Sequence, residues 1–140
     1  MEPKRVVIDT NCLLQMLGKH SEYHALWRAF IEERFVLCLS NEILNEYEEI
    51  LTQKASALVA HRFIQVVLHS PNVLRKDPYY HFSLIEQDKD DNKFVDCAIV
   101  SMADYIVSED AHFRVLKDIP FPMVRVIGLK EFQRDLFPSI

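Results

Sequence analysis

Apolar positions along the chain follow two patterns. Short continuous runs, "RVVI", "FVLCL", "YIV" and "VRVI", read as strands buried on both faces and place strands at Arg5 to Ile8, Phe35 to Leu39, Tyr105 to Val107 and Val124 to Ile127. Between them the apolar residues recur every three or four positions, which predicts helices around Tyr23 to Glu33, Glu42 to Gln53, Ala55 to His69 and Asn92 to Asp104. Strands alternating with helices imply an α/β fold, a three-layer α/β/α arrangement around a mainly parallel central sheet of about four to five strands. The polar stretch "EQDKDDNK", Glu86 to Lys93, reads as a loop entering a helix.

Length and composition narrow the class. With 140 residues, 49% hydrophobic and 26% charged, the chain has the make-up of one globular domain, residues 1–140. Its longest apolar run, Phe35 to Leu39, is too short to span a bilayer, so the expectation is a cytoplasmic protein with no membrane partner. Cys12, Cys38 and Cys97 are too widely spaced for a zinc knuckle or a disulfide framework and read as reduced core thiols. Gly18 and Gly128 are the only glycines, so no P-loop, dinucleotide-binding turn or nucleophile elbow can be written, which excludes those ATPase, dehydrogenase and hydrolase classes. A net charge of -5 argues against gripping nucleic acid by bulk electrostatics, but acids committed to a metal pocket would leave the rest of the surface nearly balanced.

The distribution of acids is the informative feature. Asp9 follows the first strand, Ser40 ends the second with Glu42 and Glu46 just beyond it, and Asp110 follows the third. The helix from Asn92 runs back antiparallel to the strands, so Asp90 and Asp91 return to the same carboxyl edge. At 100° per residue Glu46 lies about 90° from the centre of its helix's apolar stripe, bordering the buried face, while Glu42 and Glu49 lie about 130° and 150° away. Asp91 falls within about 20° of the stripe of the later helix, and Asp96 about 125° off it, flanking the crevice. Taken alone, Asp9 suits a helix cap equally well. Four carboxylates converging on one crevice do not serve stability, because like charges raise one another's pKa unless a cation lies between them. Carboxylate oxygens suit Mg2+ or Mn2+, and no convincing His and Cys cluster points to zinc. His20 and His24 share a spacing of four but no third ligand, and read as surface residues.

The segments "VVIDTNCLL", "LSNEILNEYEEIL" and "DDNKFVDCAIVSMADYIVSED", in this order and spacing, resemble the PIN-domain ribonucleases, in particular the bacterial group described as toxin components of toxin-antitoxin pairs. The resemblance runs from Val6 to about Ile127. It implies that Asp9, Glu46, Asp91 and Asp110 are the metal-binding and catalytic acids, that Asp96 is an acidic position beside them, and that Asn11 and Ser108 support the pocket. The last motif reads Ser108, Glu109, Asp110, and the spacing from Tyr105 favours Asp110 over Glu109. The implied activity is Mg2+- or Mn2+-dependent endoribonuclease hydrolysis of RNA phosphodiesters. Thr10, Asn11 and Ser40 would orient ligands, and Lys93 would contact a substrate phosphate or lie solvated on its helix.

Other readings stay open at this level. A non-catalytic PIN-fold module that binds RNA or protein would share the scaffold. A Mg2+-dependent phosphotransfer or receiver-like domain also keeps acids at a sheet edge, but the haloacid-dehalogenase type needs a second Asp where this chain has Asn11. Tyr79, Tyr80, His81 and Phe82 suit either stacking on bases or packing over the core. Phe132, Leu136 and Phe137 mark a C-terminal apolar face that suits the core or a contact with an antitoxin or a second copy.

Overall fold

The computed structural model describes residues 2–86 and 89–138, so the Gln87 and Asp88 portion of the expected polar loop lies outside the described residues. Among the described residues, five strands, β1 (Lys4–Ile8), β2 (Phe35–Leu39), β3 (Val73–Arg75), β4 (Tyr105–Val107) and β5 (Val126–Ile127), form one all-parallel sheet in the order β3-β2-β1-β4-β5. Val6, Val7 and Ile8 are all buried, so β1 is covered on both faces, which is why its residues are apolar without alternation.

The helices are α1 (Thr10–Leu17), α2 (His24–Ile31), α3 (Asn41–Lys54), α4 (Ala57–His69), α5 (Asn92–Val100) and α6 (Leu129–Leu136). Two of the expected helices are trimmed by their caps. α4 starts at Ala57 because the Ser56 hydroxyl accepts from Val59 N at 3.1 Å. α5 stops at Val100, not Asp104, because Met102 turns left-handed at φ 55° and Asp104 is drawn to β1, where its Oδ2 accepts from Arg5 N at 2.7 Å. β3, with three residues at the sheet edge, has no counterpart in the apolar pattern, whereas α1 follows β1 after the single residue Asp9, as its reading as a helix cap implies, and α6 carries the C-terminal apolar face. Phe132 and Leu136 of α6 are buried in the core, whereas Phe137 is part-exposed with the Arg34 guanidinium over its ring at 4.3 Å. Cys12, Cys38 and Cys97 are buried free thiols. No helix among the described residues is long and apolar enough to cross a membrane.

Candidate active site

Parallel register sets the edge. Ile8 lies beside Val107, so Asp9 and Ser108 leave neighbouring strands together, joined by Asp9 N donating to Val107 O at 3.0 Å. The buried Asp9 side chain accepts from Asn11 N at 3.2 Å through Oδ1 and from the Ser108 hydroxyl at 2.7 Å through Oδ2. The first bond makes Asp9 the N-cap of α1, so capping and crevice placement belong to the same side chain.

Glu46 reaches this edge because its neighbour Tyr47 is fully buried and donates its hydroxyl to Ile8 O, which fixes α3 against the end of β1. The Thr10 hydroxyl donates to Glu46 Oε2, and Lys93 Nζ donates to Oε1 at 2.7 Å. Asp91 enters from the start of α5. Asp110 follows β4 and caps a 3-10 helix, Ala111–Asp118, accepting from His112 N at 2.9 Å while its own N donates to Ser108 Oγ at 3.0 Å. His112 Nδ1 lies 3.4 Å from Asp110 Oδ1 and 3.6 Å from Asp91 Oδ2. One ligand atom from each of Asp91, Asp110 and His112 falls within 4.8 Å of the others.

Burial pushes the Asp9 carboxyl above its ordinary pKa; the hydrogen bonds from Ser108 and Asn11 oppose that shift, and the charges of Asp110 and Glu46 reinforce it. For Lys93, burial favours the neutral form, but the hydrogen bond and charge of Glu46 outweigh it and its pKa is raised. Oxygen donors from four segments and an acid whose ionised form is disfavoured without a counter-charge fit a hard divalent cation. Among the described residues, Asp91, Asp110 and His112 are the ones whose ligand atoms lie close enough to share an ion. Asp9 feels the charges of Asp110 and Glu46 but has both oxygens hydrogen-bonded, and Glu46 is engaged by Thr10 and Lys93, so the structure does not bring the four expected acids into one ligand set.

The remaining expected residues take more specific places. Asn11 is exposed and meets Asp9 through its backbone N, and Ser40 is a buried N-cap of α3 that accepts from Ile43 N at 3.2 Å. Lys93 faces Glu46, not open solvent. Glu109 turns away from the crevice, accepting from Leu129 N at 2.9 Å at the start of α6, which separates it from Asp110. Asp96 is only 2% exposed although its helix position lies off the apolar stripe, because the segment after β3 covers it: Phe82 N donates to Oδ1 at 3.1 Å, and His81 Nδ1 lies 3.2 Å from Oδ2. Sequence reasoning missed His112, whose only signal is its place two residues after Asp110 in the capped turn.

The fold is similar to that of VapBC2 from Rickettsia felis bound to a DNA fragment from its promoter, at TM-score 0.61 and 15% identity, covering 89% of this chain and 98% of that one. It is also similar to DNA-bound VapBC from Salmonella typhimurium, at TM-score 0.58, 15% identity and coverage of 90% and 98%. The PIN domain of human SMG5 aligns at TM-score 0.52 and 13% identity, over 94% and 97%. No curated protein sequence matches the chain. The family model of the PIN domain matches residues 5–112, from the start of β1 through the capped turn that holds Asp110 and His112, and the chain belongs to that family.

Proposed function

We propose that the protein is a divalent-metal-dependent endoribonuclease and the toxin component of a toxin-antitoxin pair acting in the cytoplasm. The observation that carries the nuclease reading is the acidic edge itself, where Asp9 is buried under the like charges of Asp110 and Glu46 and Asp91 clusters with Asp110 and His112. Capping accounts for Asp9 and Asp110 singly but not for Glu46 and Asp91 beside them, whereas metal-dependent phosphodiester hydrolysis uses such a group of acids. The toxin reading rests on the sequence resemblance to that bacterial group and fits the likeness to VapBC proteins. Its partners would be an RNA substrate and an antitoxin, with a second copy of the chain as a further option.

Mg2+ or Mn2+, when bound, would supply Lewis acidity toward the scissile phosphate and a lowered pKa for the attacking water. Asp9 is oriented for this by Ser108 and by Asn11 N, which fix both of its oxygens. Thr10 and Lys93 together hold Glu46 in one rotamer, and Lys93 offsets its charge. His112 is set by its own backbone bond to Asp110 and can donate or accept a proton at Nδ1, depending on tautomer, beside both late acids.

The test is cleavage of single-stranded RNA by the purified chain with Mg2+, with Mn2+ and with chelator. Metal-dependent cleavage is expected. Absence of cleavage with either ion would leave a binding module and sink the enzymatic reading.

A further inference from the structure

The segment following β3 carries aromatic rings that the core does not use. Tyr79 is 100% exposed and Tyr80 66% exposed, with the Tyr80 ring set edgewise to Phe82 at a centroid distance of 4.7 Å. The segment is nevertheless fastened along its length. Asp77 accepts from Asn41 N at 2.8 Å and from Asn41 Nδ2 at 2.9 Å. Asp96 holds His81 and Phe82 by the two contacts already described. Asn92 exchanges two bonds with the Ile85 backbone, at 2.9 and 2.8 Å. The rings are therefore presented on a fixed support, at little ordering cost to anything that binds them.

Their surroundings identify the occupant. An open cavity of about 470 Å³ is lined by Arg75, Lys76, Asp77, Pro78, Tyr79 and Val100, with Asp77 turned to Asn41, a volume in the range of small-molecule and nucleotide sites. A second cavity of about 200 Å³, lined by Glu42, His81, Ser83, Asn92, Lys93 and Asp96, continues from the same segment. Lys93 is also the residue that binds Glu46, so this second cavity opens at the rim of the acidic crevice. The stretch "RKDPYYHFS", Arg75 to Ser83, contains no aliphatic side chain other than Pro78, so the apolar surface it offers is almost wholly aromatic. Here two cations, Arg75 with its guanidinium steadied by Asn41 Oδ1 at 2.9 Å and Lys76, precede the rings across Asp77 and Pro78. Cations beside exposed rings are what single-stranded nucleic acid uses, bases on the ring faces and phosphates on the cations.

We propose that residues 75–83 form a stacking platform for single-stranded RNA beside the cleaved phosphate, with Tyr79 and Tyr80 under the bases and Arg75 and Lys76 at the phosphates. The proposal rests on the nuclease reading and adds the route by which substrate reaches the acids. Asp96 is a positioning residue in this arrangement, holding the platform at the crevice.

The experiment measures fluorescence anisotropy of a short labelled single-stranded RNA on the full chain carrying Asp9→Asn, in Mg2+. Added to that background, Tyr79→Ala with Tyr80→Ala is expected to weaken binding about tenfold or more, and Tyr79→Phe with Tyr80→Phe to retain it. RNA of the same length with abasic positions should bind the unsubstituted platform as weakly as intact RNA binds the alanine variant. Unchanged affinity in the alanine variant, equal binding of the abasic strand, or no RNA binding at all overturns the platform, and the first of these is also what a protein occupant would give. Cleavage by the chain with Asp9 intact is measured in parallel. No cleavage in Mg2+ or Mn2+ defeats the nuclease reading itself, whereas cleavage with unchanged binding in the alanine variant defeats only the platform.

Discussion

The two ends of the sheet treat charge in opposite ways. At the amino end, Asp104 accepts from the backbone N of Arg5 at 2.7 Å, and the Arg5 guanidinium donates to Ser101 O at 3.0 Å, so an acid and a cation each close a chain connection. At the carboxyl end, Asp9 is buried with Asp110 and Glu46 raising its pKa, and Asp91 stands across His112 from Asp110. The same parallel strands carry both ends. What differs is that the first arrangement satisfies its charges within the chain and so stabilises the fold, while the second gathers acids that Lys93 and the hydrogen bonds to Asp9 offset only in part, a cost that a bound cation would relieve.

The sharpest way to break this contrast is Asp9→Asn. The isostere keeps the cap on α1 through its one amide oxygen, and its Nδ2 then donates to Ser108 Oγ where the carboxylate accepted from it, so circular dichroism should show the parental fold. Cleavage should fall by more than the roughly hundredfold seen on removing groups that merely orient metal ligands, because Asp9 is read as a ligand itself. A variant that cuts RNA at the parental rate would reduce Asp9 to a helix cap.

Asp91→Asn against Asp96→Asn sharpens the comparison within one helix. Asp91 faces the late acids and should cost about a hundredfold or more in cleavage; Asp96 holds the segment bearing His81 and Phe82 and should cost about tenfold. If Asp96→Asn abolished cleavage while Asp91→Asn left it intact, the helix phasing that selects Asp91 would be wrong.

That phasing also shows how far the sequence could be read. β2 and β4 match their expected spans residue for residue, because continuous apolar runs have one stable placement in a parallel sheet. Strand polarity alone puts Asp9 and Asp110 at one edge, Glu46 borders the buried face as its helix angle requires, and Asp91 lies in one group with Asp110 and His112. β3 was illegible because "VLR" at an edge carries too few residues to set a period. The burial of Asp96 was illegible for another reason: helical periodicity reports which face meets the sheet and says nothing of a loop returning over the opposite face. His112 escaped because a histidine in a turn carries no pattern until the fold sets it beside Asp91 and Asp110.

Stability offers a smaller and signed effect. With no cation bound, the raised pKa of Asp9 means that the folded chain holds its proton more tightly than the unfolded chain does. The resulting advantage is complete below the unfolded carboxyl value of about 3.9 and is lost as pH rises through the raised folded value. In chelator at neutral pH, Asp9→Asn should therefore melt above the parent, and the gap should close below about pH 4. Mg2+ should raise the melting temperature of the parent, by the equivalent of about 2.7 kcal/mol at a hundredfold excess over Kd, and raise that of Asp9→Asn much less. A parent whose melting curve ignores millimolar Mg2+ and Mn2+ would argue that the crowded acids are not a cation site.

The smallest expected effect probes the other end of the sheet. Asp104→Ala removes the acceptor for Arg5 N and loosens the turn that leads from α5 into β4. The bond is exposed, so its loss should cost no more than about 1 kcal/mol, or about 2–5 °C in melting temperature for a domain of this size. Cleavage should be unchanged, since β1 sets about 13 Å between Arg5 and Asp9 and no acid of the crevice touches Asp104 among the described contacts. Melting and cleavage measured on the same preparation decide the matter. A fall in cleavage without a fall in melting temperature would mean that the amino end is coupled to the crevice, and the division between a stabilising end and a reactive end would fail.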